Sequence, residues 1–222
     1  MKLIRMSVFV CAACLWANVV FAQPQQILEM STGAIQSTAK KQPHDIANPK
    51  ITLRVEDFAN LDPSVLAGAR KVTTEIFAAA GVQTVWLDCP VYEADCGTEA
   101  EGPQFILRIL GPSMDKDIAA DDEALGFAIP CHKTDGACLS YILYWRIRAL
   151  AAADNLSPAR MLGHVMAHEI GHALLGPNTH EAFSIMQATF SIHDTERVLY
   201  YTSRQSKRLQ AELVARKRAT TR

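Results

Sequence analysis

Residues 51–58, Ile51-Thr52-Leu53-Arg54-Val55-Glu56-Asp57-Phe58, alternate apolar and polar side chains, the period of a half-buried strand. Asp62 and Pro63 then open a helix that runs to about Ala80, with Gly81 as its stop. Val82 to Leu87 and Phe105 to Leu110 read as strands, Gly126 to Ile129 as a short edge strand, and Leu139 to Trp145 as a further strand. A crossover over Ile147 to Ala153 follows. The next element is bounded at both ends. Ser157 is a good N-cap, Pro158 suits the first helical position, and Gly176-Pro177 ends the run. Between them Met161, Leu162, Val165, Met166, Ile170, Ala173 and Leu174 recur at helical spacing, the stripe of a buried helix. A terminal amphipathic helix covers about Ser203 to Arg216. No internal repeat interrupts this order, which predicts an α/β (α+β) fold.

The bounded helix carries His168-Glu169-Ile170-Gly171-His172. Residues four apart share one helix face, so both imidazoles can meet one ion. Paired histidine nitrogens suit Zn²⁺, and Glu169 can stand beside such an ion without binding it, placed to take a proton from water. Beyond the helix the chain reads Gly176-Pro177-Asn178-Thr179-His180. A glycine permits a sharp turn, and His180 can swing back as a third ligand. Three protein ligands and an open position mark a catalytic zinc, whereas a structural site takes a fourth protein ligand. Glu196, Asp194 and Glu181 are other candidates for the third place. His164, one turn before His168, reads as a neighbour that supports the ligands or as a hydrogen-bonded core histidine. His44, His132 and His193 are isolated and read as surface or loop residues.

With Met186 in Ser184-Ile185-Met186-Gln187, this stretch resembles the metzincin zinc peptidases, most of all their matrixin branch. That family carries HExxHxxGxxH and then a methionine-containing turn. Here Gly176 is four residues after His172 and His180 eight after, so the loop is two residues longer than the family pattern. Ala188 stands where the family often has Tyr. The motif-bearing resemblance covers about residues 157–190. It implies a twisted mixed sheet, an active-site helix and a small C-terminal helical subdomain. It implies that His168, His172 and His180 hold zinc and that Met186 forms an apolar floor beneath them. It further implies that the strand at Ala124–Pro130 lies at a sheet edge, antiparallel to a bound peptide.

Composition sets the surroundings of that chemistry. Lys2 and Arg5 precede an apolar run from Met6 to Phe21 that ends Val20-Phe21-Ala22, the pattern of a secretory signal peptide cut after Ala22. Residues 23–48, rich in Gln, Ser, Thr, Ala and Lys, read as a flexible leader or short pro-segment, and 49–222 as the zincin-like catalytic domain. The chain has 22 basic and 23 acidic residues, and loss of residues 1–22 removes two basic ones, leaving a formal net charge of 20 − 23 = −3. Such a balance offers no broad basic field for nucleic acid. The basic end, Lys207, Arg208, Arg216, Lys217, Arg218 and Arg222, reads as a solvated helix face and tail. Of six cysteines, Cys11 and Cys14 fall in the signal. The other four form two pairs, each seven apart across turn-rich text, so an exported chain is expected to link Cys89 to Cys96 and Cys131 to Cys138.

These readings combine into one expectation: a secreted or periplasmic, monomeric zinc endopeptidase acting on a peptide or protein substrate, with Glu169 as general base and no stable membrane insertion after signal cleavage. A zinc hydrolase of a non-peptide amide such as a cell-wall bond, or a non-catalytic module stabilised by zinc, are the alternatives.

Overall fold

The computed structural model describes residues 48–88, 102–117, 124–189 and 197–220. The signal peptide, all but the last residue of the leader, the Cys89–Cys96 pair, and His44, His193, Asp194 and Glu196 lie outside them. In chain order the elements are β1 (Lys50–Asp57), α1 (Pro63–Ala79), β2 (Gln83–Asp88), β3 (Gln104–Leu110), a 3-10 turn (Pro112–Asp117), β4 (Gly126–Ala128), β5 (Ala137–Leu143), α2 (Tyr144–Ala153), α3 (Pro158–Leu175) and α4 (Ser203–Thr220). The fold is mixed α/β, as the pattern of elements predicts. The strands form one sheet in the order β2-β1-β3-β5-β4. The first four pair in parallel, and β4 alone runs antiparallel, against β5 at the edge.

The start of α1 is fixed by Asp62, whose side chain accepts from the Ser64 amide, followed by Pro63 at the first turn. In α3, Ser157 plays the same part, accepting from the Arg160 amide at 3.3 Å. Helices α1 and α3 pack on one face of the sheet. Leu53 of β1 pairs in register with Trp86 and Phe105, and Phe105 with Cys138, so these side chains share that face. Trp86 Nε1 donates to Thr74 Oγ1 of α1 at 3.0 Å, which identifies the face as the helical one. The core there joins Leu53, Phe105 and Leu107 to Ile76 and Phe77 of α1 and Leu162 and Met166 of α3, all buried. Thr73 ties α1 to α3, donating to the Gly163 carbonyl at 3.1 Å.

Two sequence expectations need correcting. β1 is not half-buried in alternation: Thr52 and Glu56, on its other face, are buried as well. A buried carboxylate needs partners, and Glu56 has Arg54 at 3.1 Å and Arg108 of β3 at 2.6 Å. The last strand stops at Leu143 rather than Trp145, and the stretch expected as a crossover is the helix α2. Tyr144 and Trp145 look strand-like in isolation, but they lead into Arg146 to Ala153, rich in Ala and Arg, residues that favour helix.

The Cys131–Cys138 disulfide forms as the spacing suggests, closing the β4–β5 hairpin with the Ile129 amide donating to the Leu139 carbonyl at 2.9 Å. No described helix is long and apolar enough to cross a membrane.

Candidate functional site

The register of β4 carries Gly126 opposite Ile142, onto the helical face, where α3 packs beneath it. Gly126 meets Glu169 directly: a Cβ at this position would lie 3.0 Å from Glu169 Cγ and 3.1 Å from Oε1. The edge strand thus roofs the carboxylate, and a Cβ at Gly126 would crowd it.

His168 and His172, one turn apart on α3, project the same way. His168 Nδ1 lies 2.8 Å from the Ile185 carbonyl. A carbonyl only accepts, so Nδ1 carries the proton and Nε2 presents its lone pair. His172 Nδ1 faces the Gly176 carbonyl at a longer 3.4 Å. The Nε2 atoms of His168 and His172 stand 3.0 Å apart, and those of His172 and His180 3.1 Å apart. One ligand atom from each of the three histidines falls within 4.8 Å of the others, close enough for all three to bind one metal ion.

The loop delivers His180 through two left-handed residues. Gly176 has φ 93°, a conformation that favours glycine, and its amide donates to the His172 carbonyl to close the helix. Asn178 follows at φ 56°, a region Asn tolerates. Thr179 Oγ1 donates to the Gly176 carbonyl at 2.8 Å and braces the bend. These two reversals return the chain toward His172, with His180 Nε2 3.1 Å from His172 Nε2.

Burial shifts three members of the site, His168, Glu169 and His172. His168 is 7% exposed, and its pKa is pushed down to about 4, chiefly by desolvation. Burial also lowers His172. Glu169, 5% exposed, is pushed up to about 8 by desolvation. A cation held by the imidazoles would draw that value back down. The Nε2 lone pair of His168 faces the other two imidazoles, an arrangement that suits a cation among them.

The surrounding residues explain why this geometry holds. Met186 is fully buried against α3, and a Cβ on Gly171 would overlap its sulfur. Met186 is therefore fixed under the helix, next to the Ile185 carbonyl that orients His168. Tyr201, buried against Phe77, donates its hydroxyl to the Ala167 carbonyl at 2.6 Å. Arg208 and Arg216 of α4 reach the Leu175 and Ala173 carbonyls, which have no partner within the helix. Sequence reasoning missed Tyr201, Ile185 and both arginines as parts of the site, since each comes from a distant segment or acts through its backbone. His164 is a core histidine, its Nε2 accepting from the Leu199 amide at 3.2 Å. His132 is exposed, in the hairpin loop. Glu181 stands apart from the cluster, paired with Arg204 at 3.1 Å.

A cleft of about 650 Å³ opens over the three imidazoles. It is lined by the Ala124–Pro130 stretch that contains β4, by Pro177, Asn178 and Ala188, and by Leu150 and Val165. Among the described lining residues only Glu169 and the three histidines are ionisable. No protein-family model and no curated protein matches the chain.

Proposed function

We propose that this chain is an exported, zinc-dependent endopeptidase of metzincin-like type, with His168, His172 and His180 as zinc ligands and Glu169 as general base. The observation that carries the reading is the convergence of three Nε2 atoms, 3.0 Å apart between His168 and His172 and 3.1 Å apart between His172 and His180, with the His168 proton held on Nδ1 by the Ile185 carbonyl. Ligands of a tetrahedral zinc, at bonds of about 2.0–2.1 Å, stand about 3.3 Å apart. The spacings here, 3.0 and 3.1 Å, are close to that value. An all-imidazole set suits zinc, and the backbone carbonyl on His168 is the kind of outer support that ligating histidines use.

Catalytic rather than structural zinc is favoured because the metal-holding group has three members, with no fourth among the described residues. When bound, zinc supplies Lewis acidity toward a carbonyl and a water that is acidic near neutral pH. The chain's own residues do the rest. Glu169 packs against Gly126 and lines the cleft with the three imidazoles, where it would take a proton from a water. It is not one of the grouped ligand atoms, so its oxygens remain free to move that proton to a leaving amine. A peptide, rather than another amide, is favoured by β4. This strand pairs only with β5 among the described residues, and its free edge borders the cleft. An extended peptide can add to that edge through main-chain hydrogen bonds, and Pro130 limits the run.

The reading is tested by incubating the zinc-loaded mature chain with a mixed peptide library and with peptidoglycan fragments. Peptide cleavage that a chelator stops and zinc restores is the expected result. Cleavage of the cell-wall fragments alone would move the substrate to a non-peptide amide, and no cleavage of either would refute the enzymatic role.

A further inference from the structure

Arg216 lies in the last turns of α4, in a stretch whose charges the sequence assigns to a solvated face, yet it is 4% exposed. Its guanidinium is used on every side. Nε pairs with Glu212 at 3.1 Å, which supplies the countercharge a buried cation needs. Nη1 donates to the His132 carbonyl at 3.2 Å and contacts the sulfurs of Cys131 and Cys138 at 3.4 and 3.2 Å. Nη2 donates to the Cys131 carbonyl at 3.1 Å and to the Ala173 carbonyl at 3.2 Å. One planar group therefore joins the disulfide-closed hairpin loop to the residue that follows His172. Lys133 adds a second tie from the same loop to Glu212, at 3.0 Å.

The loop held in this way leads directly into the cleft wall. Cys131 follows Pro130, and Cys138 opens the pairing of β5 that carries β4. Because the disulfide closes the loop, holding it at Cys131 holds both strands of the hairpin. We propose that Arg216 is a positioning residue for the cleft: its guanidinium ties the β4–β5 hairpin to the metal-bearing helix and so sets the gap between the edge strand and Glu169. A lysine offers a point charge without the fork, and cannot bridge these carbonyls together. The effect on substrate rests on the peptidase reading, whereas the effect on the hairpin does not.

The test compares the zinc-loaded full chain with Arg216→Gln and Arg216→Lys, by zinc content, site-resolved amide exchange and peptide kinetics. In Arg216→Gln the Ile129 amide should exchange about tenfold faster, the equivalent of losing one or two hydrogen bonds, while amides in the middle of α3 and zinc content stay unchanged. KM should rise about tenfold and kcat should fall with it, since the wall that binds substrate also packs on Glu169, whereas the metal ligands do not move. Arg216→Lys should show the same local loosening, and decides the matter alone if the glutamine variant does not fold. An unchanged Ile129 amide would overturn the proposal, as would faster exchange spread equally through α3 and α4. A chain that cleaves no peptide refutes the peptidase reading but leaves the exchange result to judge Arg216.

Discussion

Gly126 in the edge strand and Glu169 in α3 fit together so closely that a Cβ on Gly126 would stand 3.1 Å from Glu169 Oε1 and 2.8 Å from the Tyr141 carbonyl. The first contact is with the end of a side chain that can give way. The second is with backbone of β5, so β4 must shift. Gly126→Ala is therefore expected to keep its metal, lose about 1–3 kcal/mol of stability as overpacked sites do, and lose hydrolysis at least tenfold. Thermal melts, zinc analysis and kcat/KM measured side by side check this. A fully active Gly126→Ala chain would mean that the strand does not set the position of the base.

Glu169→Gln keeps the size of the side chain and removes its ability to accept a proton. The variant should bind zinc, fold and lose about 10²–10⁴-fold in kcat, the usual contribution of a positioned general base. Near-wild-type turnover would assign the proton transfer to another group.

Gly171 is a glycine in the middle of a helix, where alanine ordinarily adds about 0.5–1 kcal/mol. Here the sign should reverse, because the new Cβ would overlap the Met186 sulfur and press on Tyr201, whose Cε1 would be 3.2 Å away. Gly171→Ala should destabilise the fold by about 1–3 kcal/mol. It should also weaken zinc binding, because displacing Met186 moves the neighbouring Ile185 carbonyl off His168. A stabilised variant with undiminished zinc affinity would show that Met186 is ordinary packing.

What the sequence made legible was local. Ser157, Pro158 and Gly176 bound α3 in the chain as they do in the fold, and the four-residue spacing of His168 and His172 puts them on one face because helix geometry requires it. His180 was reachable for the same reason, since its return depends on a few turn residues beyond the helix. Residues whose role is set by distant partners were not legible. Arg216 carries no local sign that it is buried, because its acceptors lie on a loop some eighty residues earlier and at the end of α3. Tyr201 is equally silent until α3 is packed over it. The run from Leu139 to Trp145 misled for a related reason. Aromatic residues favour strands in general, but the sheet here ends at Leu143, and the chain beyond it folds as α2.

His180 is the member of the ligand group furthest from the helix, exposed and held by its loop, and no other described residue pairs with it outside the cluster. His180→Ala should lower zinc affinity at least tenfold and abolish hydrolysis, while Glu181→Ala, which breaks a pair with Arg204 and a 3.5 Å contact with the Thr202 hydroxyl, should leave both intact. Titration against a competing chelator checks both variants. Retained zinc and activity in His180→Ala would pass the third place to a residue outside the described segments, Glu196 or Asp194.

The most direct test is X-ray absorption at the zinc edge on the mature chain reconstituted with one equivalent of zinc. The account predicts three imidazole nitrogens at about 2.0–2.1 Å and one exchangeable oxygen, with one imidazole lost in His180→Ala. A fourth protein ligand that persists in every variant, or a chain that takes up no zinc at neutral pH, would contradict it.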